Sequence, residues 1–229
     1  MPDFTLRQWN AWAPNLGAPD GDPNSPPPSA VPKTLQRRLT DLAKIVFNVA
    51  APCLGQDKLL PVVFSSAHGE ICKSLAMLQT IQAGEELSPT AFSLSVHNAI
   101  AGLFSIAYGN NQEITVLAPG QEGIAPAFIE ATGLLQEGAP EVLVILYDEP
   151  LADFFPTAPY RINVPFPCAL ALRIALNGEG LAMRYAYSAQ AHDDGEHPVQ
   201  LLAFIQFLLS GERTLTLGNL GHSWLWQKK

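Results

Sequence analysis

The sequence predicts an α/β fold, with a mixed sheet carrying helices on both faces. Two apolar runs of strand length, Leu60–Ser65 and Val142–Tyr147, are continuous rather than alternating, the pattern of strands covered on both sides. Helical stripes lie between and around them, so strands and helices take turns along the chain. The stretch Glu113–Glu137 condenses the pattern into a short β-run at Ile114, Val116 and Leu117, a break at Pro119-Gly120, and a helical stripe at Ile124, Phe128, Ala131 and Leu135.

Taken in order, Phe4–Pro14 reads as a first strand anchored by Phe4, Leu6 and two tryptophans. The segment 15–32 holds Pro19, Pro23, Pro26, Pro27, Pro28 and Pro32, and proline neither donates to a ladder nor continues a helix, so a surface loop is expected. Lys33–Leu54 is the clearest helix, with Leu35, Leu39, Leu42, Val46 and Val49 on one stripe. Glu70–Gln82 repeats the pattern through Ile71, Leu75, Leu78 and Ile81. Phe92–Gly109 is helical from about Ser95, and its small residues Ala99, Ala101 and Gly102 permit close backbone approach. The β-α-β succession over 113–147 implies a right-handed parallel crossover. Asn177-Gly178-Glu179-Gly180 between Cys168–Leu176 and Leu181–Ser188 is a hairpin signal. A last helix, Pro198–Leu209, precedes a β-like tail, Leu215–Trp226. The whole chain, 1–229, is expected to form one domain.

Composition narrows the function. A net charge of -8 opposes nucleic-acid binding, which needs concentrated Lys and Arg. Charged residues make up only 15% of the chain, against about 25% in an average soluble domain, so either the core is large or a partner covers part of the surface. Cys53, Cys72 and Cys168 form no CxxC pair, which suggests a reducing compartment and no thiolate metal site. No signal pattern or membrane-length apolar run is evident, and a cytoplasmic protein is expected.

Candidate chemistry is sparse. The corner Ala118-Pro119-Gly120-Gln121-Glu122-Gly123 has the strand–turn–helix form of a nucleophile elbow but offers no Ser, Cys or Thr. Ser65-Ser66-Ala67-His68-Gly69-Glu70 brings a hydroxyl, an imidazole and a carboxylate together after a strand. It lacks the G-x-S-x-G pattern, and triad members normally converge from separate elements, so a structural turn is expected there. A small Ser/His hydrolase or acyltransferase using Ser65 or Ser66 with His68 is the alternative. His192-Asp193-Asp194-Gly195-Glu196-His197 has a metal-like composition without a metal-binding spacing and reads as a solvated loop. His97 reads as a polar group at a turn and Cys168 as an inert buried thiol. No metal and no cofactor are expected.

The segments LQRRLTDLAKIVFNVAAPCL, VVFSSAHGE, SPTAFSLSVHNAIAGLFSIAYG and EITVLAPGQEGIAPAF…EVLVILYDE resemble, in consistent order, the N-terminal half of β-ketoacyl synthases, which have the thiolase fold. The likeness extends over about residues 4–188, and SVHNAIAG is its most specific motif. It is nearest to the short ketosynthase-like proteins, often called chain length factors, of aryl polyene-type polyketide clusters. It implies a truncated thiolase-like fold. Ungapped comparison puts Gly120 where active members carry their nucleophilic Cys, with Gln121 next, and a shift of one residue supplies no thiol either. The two catalytic histidines of active members come from a second half largely missing here, although Gly221-His222 is similar to the setting of one of them. The resemblance therefore implies a noncatalytic partner of a full ketosynthase, with acyl carrier protein reached through that partner. It also implies that Ile114, Thr115, Val116, Leu117, Ala118 and Asn98 lie at a subunit interface. Ala91, Phe92, Leu94, Ser95 and Val96 are then expected to reach the partner's acyl tunnel, where a bulky side chain would limit chain length.

Overall fold

The computed structural model describes residues 3–14, 31, 33–55, 59–153, 164–189, 195–219 and 221–229. The proline-rich loop expected over 15–32 and the His192-Asp193-Asp194 run lie outside the described residues, apart from Val31.

Every strand among the described residues enters one eight-stranded sheet of order β3-β2-β4-β5-β1-β6-β8-β7. The strands are β1 (Asp3–Trp12), β2 (Val62–Ser65), β3 (Ile114–Leu117), β4 (Val142–Asp148), β5 (Cys168–Ala175), β6 (Leu181–Ser188), β7 (Thr214–Asn219) and β8 (His222–Lys228). β2 runs parallel to both β3 and β4, and the remaining pairs are antiparallel. The crossover from β3 to β4 thus spans β2 rather than joining neighbours.

Two helical layers sandwich the centre of the sheet. On one face α2 (Asp41–Cys53) and α5 (Ala99–Tyr108) cover Val62, Phe64, Leu143, Ile145 and Tyr147. On the other, α6 (Ala125–Gln136) and α7 (His197–Leu209) cover Val63, Val144, Leu146, Leu170 and Leu172. This double cover is why β2 and β4 read as unbroken apolar runs: every residue of both is buried. Over β6, β7 and β8 the α7 side is filled by residues such as Tyr185, Leu217 and Trp226.

Three elements depart from the sequence reading. The first helix is two pieces, α1 (Lys33–Gln36) and α2, because the Thr40 hydroxyl accepts from Ala43 N–H and restarts the helix with a cap. The region 89–109 is likewise divided into α4 (Pro89–Ser93) and α5, whose helix begins at Ala99 rather than near Ser95. The glycine-rich turn at 177–180 does not close a hairpin between its flanking strands. β1 is inserted between β5 and β6 and pairs with both, and the turn passes hard against it: a Cβ on Gly180 would stand 2.4 Å from the Leu6 carbonyl oxygen. Local turn chemistry specifies a reversal but not which strand comes to lie beside it.

α3 (Ile71–Gln82) forms as the stripe predicts but buries none of its residues, and Leu78 and Ile81 are exposed. No helix among the described residues is long and apolar enough to cross a membrane.

Candidate functional site

At the end of β3 the chain turns through a 3-10 segment, Gly120–Glu122, before α6 begins. Gly120 sits at φ +53° and Gly123 at φ +64°, left-handed conformations that glycine adopts without the Cβ clash other residues meet. Gly123 is needed for a second reason. The Gln200 side chain of α7 fills the space a Cβ would take, its Oε1 lying 1.9 Å from that position. Gln200 accepts from Ile124 N–H at 3.3 Å and donates to the Gly195 carbonyl at 2.7 Å. The first turn of α7 therefore clamps the elbow from beneath. Among the described residues nothing lies within 4 Å of a hypothetical Cβ on Gly120, the position that the resemblance aligns with a nucleophile and that bears no side chain. His222, on the β7–β8 hairpin, lies 3.8 Å from the Glu122 carboxylate.

The same first turn of α7 completes an arrangement that the sequence reading missed. Ser65 Oγ lies 3.1 Å from His197 Nε2, and His197 Nδ1 lies 2.6 Å from Asp148 Oδ2. With Nδ1–H donating to the carboxylate, Nε2 is left to accept from the Ser65 hydroxyl, the order of a serine hydrolase relay. The imidazole comes from α7 and not from His68, and Ser66 donates to Asp148 Oδ1 at 2.8 Å. His68 contributes its backbone N–H to Ser66 Oγ and Asp148 Oδ1, and its ring acts on Glu196, whose carboxyl burial raises and the His68 charge lowers. His197 is thus a core residue, not part of a solvated loop. Its signal lay in the Pro198 that follows, since proline in a first turn marks a helix start.

Burial decides what this relay does. Ser65, His197 and Asp148 are all 0% exposed. Asp148 accepts from His197, Ser66, Ala67 N–H and His68 N–H, so its lone pairs are taken up within the fold. All three side chains are enclosed, and the network ties the ends of β2 and β4 to α7. His97 is a polar turn residue as expected, its Nε2 2.9 Å from the Ser66 carbonyl. Cys168 is fully buried, and burial drives its thiol pKa far up. Cys53 is pushed up to about 12 and Cys72 to about 11, burial being the first cause in each. No cysteine is primed as a thiolate. Among the described residues no group of three or more His, Cys, Asp and Glu is placed to hold a metal.

β3 ends the sheet on this side. Ile114 and Val116 pack against the α2–α5 core, Leu117 against the α6–α7 core, and Thr115 donates to Glu130 of α6 at 2.9 Å. All four β3 residues are only half-buried, and no described strand pairs with the outer side of β3. Ile106 on α5 and Ile129 on α6, the helices that flank it, are 65% and 47% exposed. Ala118 and Asn98 are exposed. Of the tunnel candidates, Phe92 and Val96 are exposed on and just after α4, Ala91 and Ser95 are half-buried, and Leu94 tucks against the α2–α5 core.

The sequence matches the family described as β-ketoacyl synthase, N-terminal domain, over residues 9–227. The chain belongs to this family. Its fold is that of ketosynthase structures, a thiolase-like arrangement. A chain of the ketosynthase ApeO in complex with its chain length factor ApeC, from Xenorhabdus doucetiae, superposes with a TM-score of 0.77 at 22% identity, covering 98% of both chains. The ishigamide ketosynthase/chain length factor gives 0.63 at 15% identity, over 83% of this chain and 68% of that one. A β-ketoacyl synthase from Burkholderia phymatum gives 0.56 at 11% identity, over 73% of this chain and 52% of its own. No curated protein matches the sequence.

Proposed function

We propose that this chain is a noncatalytic subunit of the chain length factor type. It pairs with a catalytic β-ketoacyl synthase, stabilises it and shapes its acyl tunnel in polyketide or aryl polyene biosynthesis, a fatty-acid-like chemistry. The observation that carries the reading is the open edge of β3. β3 is half-buried, holds no lysine or proline, and pairs with no described strand on its outer side, so its free N–H and C=O groups are a template for another chain. Ile106 and Ile129 supply apolar contacts on either side of that edge. The elbow behind it carries Gly120 and no thiol or hydroxyl, so condensation falls to the partner, which also receives acyl carrier protein. Phe92 and Val96 are exposed in the isolated chain, and pairing would give them an acyl tunnel to line.

The Ser65–His197–Asp148 relay favours a hydrolase by its distances alone, and its enclosure argues against that reading. Ser65→Ala leaves every measured turnover unchanged if the relay is structural.

The test is size-exclusion chromatography with light scattering, on this chain alone and co-expressed with ketosynthases of the same genome. The expected result is a 1:1 complex with one of them, in which Phe92→Ala lengthens the acyl products. A chain that stays monomeric beside every ketosynthase overturns the proposal.

A further inference from the structure

At the opposite end of the sheet, basic side chains gather on a protein whose net charge is -8. A groove of about 550 Å³ is lined by Arg184, Arg213, Thr214, Gln227, Lys228 and Lys229. Register explains the convergence. Arg184 stands directly opposite Gln227, and Gln227 directly opposite Thr214, so the three form one row across β6, β8 and β7. Directly paired residues share a face of a sheet, and the Tyr185–Trp226–Leu215 row beside them faces the core. The guanidinium, amide and hydroxyl row therefore lies on the face turned away from α7. Lys229, two positions beyond Gln227, joins the same face.

The cations differ in availability. Lys228 is spent elsewhere: its ammonium donates to the carbonyls of Phe207 and Ser210 at the end of α7 and lies over the Phe207 ring. Arg184 and Lys229 share a single carboxylate, Asp3, at 3.1 Å and 2.6 Å, which holds both in place while balancing only one of them. Arg213 is exposed at the rim. A surplus of positive charge beside a Thr hydroxyl and a Gln amide is the donor set that phosphate oxygens take up.

We propose that this groove binds a phosphate group, presented on a small ester or on a protein segment. The site is independent of the β3 reading. The two edges are seven strand steps apart, roughly 33 Å at about 4.7 Å per step, so both can be occupied together.

The experiment is a titration of the isotope-labelled chain with inorganic phosphate at constant ionic strength, followed by NMR. Saturable shifts are expected at the Gln227 side-chain amide, Thr214 and the Arg184 guanidinium. Arg213→Ala should weaken binding by ~10-fold, the loss of one charge-assisted pair. Asp3→Asn should tighten it by releasing Arg184 and Lys229, a gain that misfolding cannot mimic. Glycerol 3-phosphate and a phosphoserine peptide then separate the two sources by which binds more tightly than phosphate alone. Shifts that track ionic strength instead of phosphate, or an Asp3→Asn variant that binds no better, overturn the proposal. Neither outcome bears on complex formation through β3.

Discussion

Asp148 sits in the core with its charge answered by an imidazole, a hydroxyl and two backbone N–H groups. Removing the imidazole takes away one donor to a buried carboxylate, so His197→Ala should cost ~1.5–3 kcal/mol of stability by urea denaturation. Ser65→Ala removes only a neutral hydrogen bond and should cost about 1 kcal/mol. Equal effects would mean the imidazole–carboxylate contact is not the anchor. The serines were visible in the sequence as a cluster with His68, but their partners are separated from them by 82 and 132 positions, at the ends of β4 and the start of α7. Local spacing carries no record of that convergence. The elbow was legible because it is local: Pro119-Gly120 and Gly123 mark the turn, and no nucleophile stands between them.

Elements were legible in kind and less so in what they face. The Ile71, Leu75, Leu78 and Ile81 stripe makes α3, yet the helix docks by polar contacts rather than a core. Ser74 donates to the Ser95 carbonyl at 2.8 Å, and Thr40 to Glu70 at 2.8 Å. Its N-terminus also brings Cys72 and Glu70 beside Glu149, which follows β4, with Asp148 and Asp41 close by. Burial, the first cause, together with those carboxylates raises Glu149 to about 7, against a Cys72 hydrogen bond that lowers it. Burial likewise raises Glu70, with the Thr40 hydrogen bond and Lys73 acting against it. At these two carboxyls the folded chain thus holds protons more tightly than the unfolded one. Stability contributed by Glu149 is full below its ordinary 4.5 and is lost as pH rises through about 7. Urea midpoints should fall from about pH 5 to about pH 8, and Glu149→Gln should flatten the fall. A rising midpoint would contradict the assignment.

At the scale of the whole molecule, the long-range pairing decides the architecture, and it was the least legible level. Buried runs identified β2 and β4, and a mixed sheet between helices followed. The insertion of β1 between β5 and β6 did not, because alternation within a strand is silent about its neighbour. That order places β3 and β7 at the two free ends of one sheet, and the account rests on β3 being completed by another chain. Hydrogen exchange over 114–118 tests this most directly, comparing the chain alone with its ketosynthase complex. The account predicts that these edge amides slow by ~10-fold or more on pairing while those of β7 keep their rates. Protection confined to β7, or no change at β3 within a stable complex, would contradict it.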